Sequence, residues 1–339
     1  MKAVRIDSPW NISVVDRNIP TRGSGQALIK VKSVGICGSD IGAFRGTNKL
    51  VSYPRIIGHE IAGEIAEIDP DNPKGFEVGD RVVVDPYLYC GHCYPCSIGR
   101  TNCCVDLKVL GVHVDGGMTE YFVHPDHMLT KTPEAMSWEM APLSEPLTIS
   151  LHGLHRGEVK AGEHLVIFGA GPIGLMAAMG ALHYKAIPIM VDLVPERLEF
   201  ARSLGVQHTI NPSKESLVER VGEITDGRMA EVVMEASGAN SAIRSALDVV
   251  SHAGRIVFTG WPDHDTELPT GIITKKEVDI RGARTSVNEF DEALDLINTD
   301  SVPMRSILTK TISIEEAPET LRDIEKNPGA YMKVVVMVG

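Results

Sequence analysis

The sequence has no excess of basic residues. Its 33 lysines and arginines are outnumbered by 45 aspartates and glutamates, which gives a formal net charge of −12. Proteins that bind nucleic acid present a stripe or patch of cationic side chains to the phosphates, and the chain carries no such stripe. The charge balance therefore argues against a nucleic-acid partner.

Long uninterrupted hydrophobic runs are also absent. The opening residues, MKAVRIDSPW, lack the apolar core of a secretory signal. The uncharged stretch 165–182 is just long enough for a membrane span, but four glycines and a proline interrupt it and no basic cluster flanks it. We therefore expect a cytoplasmic protein with no membrane partner.

Cysteine is scarce, and its placement is uneven. Five of the six cysteines lie within 90–104, which favours metal binding in a reducing compartment over a disulfide framework. Four of them have the spacing C-x2-C-x2-C-x7-C, and four thiolates so spaced can close the tetrahedral shell of a structural zinc. The last interval fits neither common ferredoxin pattern, which argues against an iron–sulfur cluster. The predicted ligands are Cys90, Cys93, Cys96 and Cys104, with Cys103 left over as the one residue that could be confused with Cys104.

Residues 165–192 carry the pattern of a dinucleotide site. An apolar run ends in the sequence GAGPIG at 169–174, a segment of helix formers follows, and a second apolar run ends in Asp192. This order of strand, glycine turn, helix, strand and acid is the nucleotide-binding fingerprint of α/β proteins. The glycines let the backbone approach a pyrophosphate, which the start of the helix then binds. Asp192 is placed to accept the ribose hydroxyls and repel a 2′-phosphate, which predicts NAD over NADP, although Arg197 nearby complicates this preference.

Two halves of the chain differ in patterning. Up to about residue 149, short β-type runs alternate with turn clusters, as in a small barrel. From about 150 to 284, strand and helix signals alternate, which predicts a parallel, doubly wound sheet. Thr259 and Gly260 follow one of these strands, where open α/β sheets bind ligands, so we expect them beside the nicotinamide. Beyond Arg284 we expect Thr311–Lys326 to be mostly helix and Val334–Val338 to be a closing strand.

Five motifs together resemble the zinc-dependent medium-chain dehydrogenases, which include alcohol, sorbitol and threonine dehydrogenases. They are GICGSD at 35–40, GHE at 58–60, the four-cysteine loop, GAGPIG at 169–174 and MEASG at 234–238, and they stand in family order along essentially the whole chain. The resemblance implies an α/β protein with a GroES-like β-barrel catalytic domain over 1–149, which carries the zinc lobe. It also implies an NAD-binding Rossmann domain over 150–284 and a return to the catalytic domain over 285–339.

The same resemblance implies a second, catalytic zinc. Cys37 and His59 match its first two ligands, and polyol and threonine dehydrogenases add a carboxylate where alcohol dehydrogenases have a cysteine. Glu60 and Glu145 both match positions that alternate as ligand or as partner of the bound water, so the third ligand stays open between them. Asp40 is expected to be the partner of His59.

The resemblance also implies a route for the substrate proton. Ser39 matches the hydroxyl that takes this proton first. Relatives often continue the relay to a histidine three residues later, and this chain has Gly42 there. The usual exit is absent, so water or the cofactor ribose must carry the proton onward.

The loop at 90–117 is most similar to bacterial dehydrogenases that oxidise C5 of L-gulonate or L-galactonate. We therefore predict hydride transfer from a secondary hydroxyl of such a sugar acid to NAD. His113 and Arg284 are the predicted carboxylate contacts, although His113 could instead cap a turn and Arg284 could instead bind the cofactor. A polyol or L-threonine dehydrogenase with the same metal site is one alternative. A catalytically inactive NAD-binding regulator is another, and the intact metal residues argue against it.

Relatives are usually homodimers or homotetramers. The predicted cofactor contacts are Gly169, Gly171, Pro172, Ile173, Gly174, Asp192, Arg197, Thr259, Gly260 and Arg284.

Overall fold

The computed structural model describes residues 1–339, which divide into two compact units. Unit 1 comprises Met1–Glu145, Phe290–Thr299 and Met304–Gly339, and unit 2 comprises Pro146–Glu289 and Asp300–Pro303. No helix in the chain combines the length and the apolar character that a bilayer span requires.

Unit 1 is built mainly from antiparallel strands. Its first part contains β1 (Lys2–Ser8), β2 (Asn11–Asp16), β3 (Gln26–Ile36), α1 (Gly38–Arg45), β4 (Arg55–Ile56), β5 (Glu60–Glu67), β6 (Arg81–Val84), β7 (Tyr87–Leu88), α2 (Tyr94–Ser97), β8 (Lys108–Val109), β9 (Tyr121–Pro125) and β10 (Leu129–Lys131). The long strand β3 is central because it pairs with both β5 and β9. Its apolar side chains, with those of β5 and β6, form the core of the unit.

Unit 2 contains the parallel sheet that the sequence predicts. The chain enters it through α3 (Ser144–Arg156) and continues with β11 (His164–Phe168), α4 (Pro172–His183), β12 (Ile187–Val191), α5 (Pro195–Ser203), β13 (His208–Ile210), α6 (Leu217–Ile224), β14 (Ala230–Glu235), α7 (Asn240–Val249), β15 (Val250–Phe258), α8 (Thr270–Lys276) and β16 (Asp279–Gly282). The strand order is β13-β12-β11-β14-β15-β16, and all pairs are parallel. The order reverses between β12 and β14, so the carboxyl end of β11 lies at the switch point where such sheets bind ligands.

The last segment of the chain completes unit 1. It contains α9 (Phe290–Asn298), β17 (Leu308–Ser313), α10 (Ala317–Lys326) and β18 (Lys333–Met337). Strand β18 pairs antiparallel with β3 on one side and parallel with β17 on the other. The fold therefore brings the two ends of unit 1 together around β3.

The prediction that Thr311–Lys326 is mostly helix is confirmed. The α-helix begins at Ala317 after a 3-10 turn over Ile314–Glu316, and only Thr311–Ser313 belong to β17. Three of the six residues in Leu308–Ser313 are β-branched, which suits a strand paired along β18. The Ser313 hydroxyl and the Glu316 carboxylate then form a capping box that starts the turn into the helix. The predicted closing strand near Val334 is present as β18.

Candidate metal and cofactor sites

Cys37 lies where β3 ends and α1 begins. It is the residue before the helix, with extended backbone angles, and its N–H donates to Asp40 Oδ2 at 2.9 Å. The other carboxylate oxygen of Asp40 accepts from the Gly58 N–H at 3.2 Å. Asp40 thus ties the Cys37 turn to the segment that carries His59. Asp40 is also an electrostatic partner of His59, since its carboxylate is one of the groups that raise the pKa of His59 against the lowering effect of burial.

His59 and Glu60 enter the site from the start of β5. Both side chains are buried, and His59 Nδ1 and Glu60 Oε2 have no hydrogen-bond partner. Gly35 stands opposite Glu60 in the strand pair, and a Cβ there would lie 1.8 Å from Glu60 Oε2. Only glycine at position 35 therefore leaves room for the Glu60 carboxylate.

A lysine that the sequence analysis did not identify reaches Glu60. Lys333, the first residue of β18, donates to Glu60 Oε1 and to the Ile36 carbonyl oxygen at 3.2 Å. Burial lowers the pKa of Lys333, but Glu60 and Cys37 outweigh burial and raise it above its usual value. The only sequence signal for this contact is a lysine that opens an otherwise apolar strand.

Glu145 has a different partner. Tyr87, fully buried on β7, donates its hydroxyl to Glu145 Oε1. Burial raises the pKa of Glu145 to about 7, with His59 opposing and Glu60 reinforcing the shift. Glu145 is therefore a buried carboxyl held by a neutral donor, whereas Glu60 is held by a cation.

Three of these residues form a compact set of metal-ligand atoms. One atom each from Cys37, His59 and Glu60 lies within 4.8 Å of the others. Burial lowers the pKa of His59, but Cys37, Asp40 and Glu145 outweigh it and raise this pKa well above its ordinary value. A pocket that stabilises positive charge so strongly, with unpartnered nitrogen and oxygen atoms, suits a zinc ion on sulfur, nitrogen and oxygen ligands. Glu145 lies outside this trio of atoms.

Ser39 lies beside this trio, in the first turn of α1. Its hydroxyl oxygen is buried and has no hydrogen-bond partner. Such an oxygen is available to a substrate, since a buried hydroxyl normally has a partner. Gly42, one turn later, carries no side chain that could extend a relay.

The four-cysteine loop forms a second metal-ligand set in unit 1. One sulfur from each of Cys90, Cys93, Cys96 and Cys104 lies within 4.8 Å of the others, and the Sγ–Sγ distances from Cys93 to Cys96 and Cys104 are 3.4 and 3.8 Å. Backbone N–H groups, first of Val105 and then of Cys96, lower the pKa of Cys93 to about 6. The arrangement fits a closed tetrahedral zinc site. Cys103 is not a member of the set.

The glycine turn of unit 2 has the close packing that a pyrophosphate site requires. Gly171 precedes α4, and Pro172 occupies the first turn of the helix, where its missing N–H costs nothing. A Cβ on Gly174 would lie 1.8 Å from the Gly169 carbonyl oxygen, so only glycine allows this helix to approach the turn. Ile173 belongs to the same first turn, and its carbonyl oxygen accepts from Ser150 at 2.9 Å.

Asp192 follows β12 and lines a cavity of about 490 Å³ at the switch point. Its carboxylate accepts from the Ala170 N–H at 2.7 Å and from the Val194 N–H at 2.8 Å. Arg197 Nη1 lies 4.0 Å from Asp192 Oδ2 and lines the same cavity. The carboxylate is therefore fixed at the edge of a cavity that is large enough for part of a nucleotide.

Thr259, Gly260 and Arg284 lie together at the carboxyl ends of β15 and β16. The Thr259 and Gly260 N–H groups each donate to the Glu235 carbonyl oxygen at 2.9 Å. The Arg284 guanidinium lies 6.0 Å from the ring centre of Trp261, which is 75% exposed. An exposed tryptophan beside an arginine forms a flat, cationic surface at the ligand-binding edge of the sheet.

His113 is the predicted site residue with the plainest local role. Its Nδ1 accepts the Val109 N–H at 3.1 Å, across a tight turn in unit 1. A histidine used this way caps the turn. Recognition of a substrate by this side chain stays a prediction.

Comparisons with known proteins agree on one family. The model of the alcohol dehydrogenase GroES-like domain matches residues 23–134, and that of zinc-binding dehydrogenase matches residues 172–299. An uncharacterized zinc-type alcohol dehydrogenase-like protein of Haemophilus influenzae is 55% identical over 98% of each chain. L-galactonate-5-dehydrogenase of Escherichia coli K12 is 34% identical over 96% of each chain. The crystal structure of a protein described as a short chain alcohol dehydrogenase from Escherichia coli CFT073, complexed with NADH, matches with a TM-score of 0.93 at 35% identity, over 99% of each chain.

Proposed function

The chain belongs to the zinc-dependent medium-chain dehydrogenase family and is an enzyme of the NAD-dependent alcohol dehydrogenase type, and from this premise we propose that it oxidises a sugar acid. The proposed reaction oxidises the C5 hydroxyl of L-gulonate or L-galactonate to a ketone, with the hydride leaving from C5 and the proton from the hydroxyl. The observation that carries the choice of substrate is the 34% identity to L-galactonate-5-dehydrogenase along 96% of both chains. We include in the proposal a homodimeric or homotetrameric assembly.

The proposed zinc ligands are Cys37, His59 and Glu60. They are favoured over a set with Glu145 because Glu60 has a buried oxygen without a partner, whereas Glu145 is bonded to Tyr87. When bound, zinc supplies Lewis acidity to the substrate hydroxyl and NAD supplies the hydride acceptor. In this proposal Glu145 is not a ligand, and its carboxyl accepts the hydrogen bond of the Tyr87 hydroxyl.

Ser39 handles the proton in this proposal. Its buried Oγ, which has no hydrogen-bond partner, accepts the proton of the substrate hydroxyl. The proton then passes to water or to a cofactor ribose hydroxyl, because Gly42 offers no side chain. The transfer from Ser39 onward therefore uses no other titratable side chain of α1.

The substrate class is tested with a panel. Formation of NADH is measured with L-gulonate, L-galactonate, sorbitol and L-threonine at equal concentrations. The proposal expects the highest kcat/KM with one of the two sugar acids. A preference for sorbitol or for threonine would move the assignment to a polyol or an amino-alcohol dehydrogenase. No NADH with any compound would favour the inactive regulator.

Arg284 is proposed to hold the substrate carboxylate, because its planar guanidinium can donate two parallel hydrogen bonds to it. We expect Arg284→Gln to lower kcat/KM for the sugar acid by about 10- to 100-fold, the range for a charge-assisted hydrogen bond. The neutral polyol analogue should lose little. Arg244→Gln, which breaks the 3.2 Å ion pair with Asp248 on α7 instead, is the matched control and should change neither. An equal loss on acid and polyol would make Arg284 a cofactor residue.

Asp192 is proposed to set the preference for NAD over NADP. A 2′-phosphate placed beside this carboxylate would suffer like-charge repulsion of several kcal/mol, so we expect kcat/KM to favour NAD by about 100-fold or more. Asp192→Asn removes the charge and keeps one of the two acceptor oxygens, so it retains only one of the hydrogen bonds from the Ala170 and Val194 N–H groups. It should narrow the preference by at least about tenfold, because Arg197 then faces the phosphate unopposed. Equal kinetics of the native enzyme with both cofactors would contradict this assignment.

A further inference from the structure

The ion pair between Lys333 and Glu60 is unusual in its burial. Lys333 is 4% exposed and Glu60 is fully buried, so each charge has given up water for the other. A lysine in a core normally costs free energy that an apolar residue of the same size does not. Its presence at the wall of the metal pocket therefore needs a reason other than stability.

Lys333 makes a hydrogen bond to one carboxylate oxygen of Glu60 and none to the other. Its ammonium donates to Oε1 and also to the Ile36 carbonyl oxygen, at 3.2 Å. Oε2 is buried and has no hydrogen-bond partner. Strand pairing fixes both ends of this arrangement, because β3 pairs with β18 on one side and with β5 on the other. The lysine is thus anchored by the strand that ends next to Cys37.

The charges around the metal pocket also favour a role for Lys333 in orienting Glu60. With zinc bound, Cys37 is a thiolate and Glu60 is a carboxylate, which makes two negative ligands on a doubly charged ion. Lys333 supplies the third positive charge in this buried region. The same cation competes electrostatically with the metal, so a lysine placed there only to neutralise charge would be a poor choice. Fixing the orientation of a carboxylate explains both its position and its contacts.

We propose that Lys333 is a positioning residue for the metal site, which holds Glu60 through Oε1 so that Oε2 alone is offered as a ligand. This inference rests on the ligand set of the proposed function, and it does not depend on which substrate is oxidised. Without the ammonium, the Glu60 carboxylate can rotate, and the ligand geometry is no longer fixed. Partners of metal ligands have this effect generally, and losing one costs about 10- to 100-fold in metal affinity.

The test measures zinc release. Native protein and the variants Lys333→Met, Lys333→Arg, Glu60→Gln and the double variant Lys333→Met/Glu60→Gln are loaded with zinc and mixed with a chelator. Zinc release from the site of Cys37 is identified as the kinetic phase that is absent in His59→Ala. We expect Lys333→Met to release this zinc about 10- to 100-fold faster, and Lys333→Arg to stay near the native rate. The absorption spectrum of the cobalt-substituted protein should change in Lys333→Met and be restored in Lys333→Arg.

The double variant separates positioning from a general loss of structure. If Lys333 acts only through Glu60, its replacement in the Glu60→Gln background should change release by no more than about twofold, the usual additivity error. Lys32→Met is the matched control, because it breaks the 3.5 Å ion pair between Lys32 on β3 and Glu64 on β5, the strand that also carries Glu60. It should release zinc at the native rate.

Three results would overturn the inference, and they are distinguishable. Native release and a native cobalt spectrum in Lys333→Met, or an undiminished effect in the Glu60→Gln background, would reject the positioning role and leave the ligand set intact. Native release in Glu60→Gln would reject Glu60 as a ligand and the positioning role with it. Should Lys333→Met fail to fold, Lys333→Leu, which also removes the donor, is measured under the same criteria.

Discussion

His59→Ala is expected to lower kcat/KM by at least about a thousandfold, because the site loses a ligand and with it several kcal/mol of charge stabilisation. The structure supports so large an effect. His59 is buried beside Cys37 and Glu60, and no other histidine belongs to this ligand set. The measurement is NADH formation with the best substrate of the panel, together with zinc per chain, which should fall from two to one.

The fold should survive this substitution. The open site is made by side chains at the ends of β3 and β5, whose pairing does not involve the His59 ring. We therefore expect the circular dichroism spectrum and the binding of NADH to be unchanged. His127→Ala is the control, since this half-exposed histidine of unit 1 lies outside both metal-ligand sets. Activity of His59→Ala near the native value would show that the chemistry does not use this site.

The parts of the molecule that the sequence predicted well are those made by neighbours in the chain. The glycine turn and the strands around it depend on residues 165–192, and the four cysteines lie within 90–104. Short spacing limits the conformations that such a segment can adopt, so residue types and intervals carry most of the information. The parallel sheet follows from the regular alternation of strands and helices, and the structure confirms it.

The parts that could not be predicted depend on contacts between distant segments. Lys333 and Glu60 are 273 positions apart, and Tyr87 and Glu145 are 58 apart. Each pair forms only once the strands of unit 1 are in register. In the sequence, Lys333 is a single lysine before a run of valines and Tyr87 is one of two tyrosines before the cysteine loop, and neither belongs to a motif. The sequence left the third metal ligand open for the same reason. The choice between Glu60 and Glu145 depends on their hydrogen-bond partners, which are distant in the chain.

Two local details were set by tertiary contacts that the sequence does not display. Residues 311–313 pair with β18 and so belong to a strand, although the segment that follows is a helix. Asp40 bonds to the N–H groups of Cys37 and Gly58, since these backbone groups need partners where the chain turns. In both cases the backbone hydrogen bonds of the folded unit decided the outcome.

Cys93→Ser is expected to lower the thermal stability of the protein more than any substitution at the open site. A structural zinc contributes to folding directly, because its ligands form a site only in the folded state. The sulfur of Cys93 lies 3.4 Å from that of Cys96 and 3.8 Å from that of Cys104. Loss of a metal belongs to the class of changes above about 4 kcal/mol, which lowers Tm by roughly 8 to 16 °C in a domain of moderate size. Differential scanning calorimetry, with zinc per chain counted in parallel, measures both effects.

The chain supplies a matched control for this prediction in the adjacent cysteine. Cys103→Ser makes the same chemical change in the same loop, but Cys103 is not one of the four sulfurs within 4.8 Å. It should keep both zinc ions and the native Tm. Adding a chelator slowly should bring native protein and Cys103→Ser down to the Tm of Cys93→Ser as the closed site empties. If instead Cys93→Ser keeps two zinc ions and Cys103→Ser loses one, Cys103 is the ligand and the cysteine pattern has been misassigned at its last position. If both variants have the Tm of the native protein, the four-cysteine loop folds without its metal.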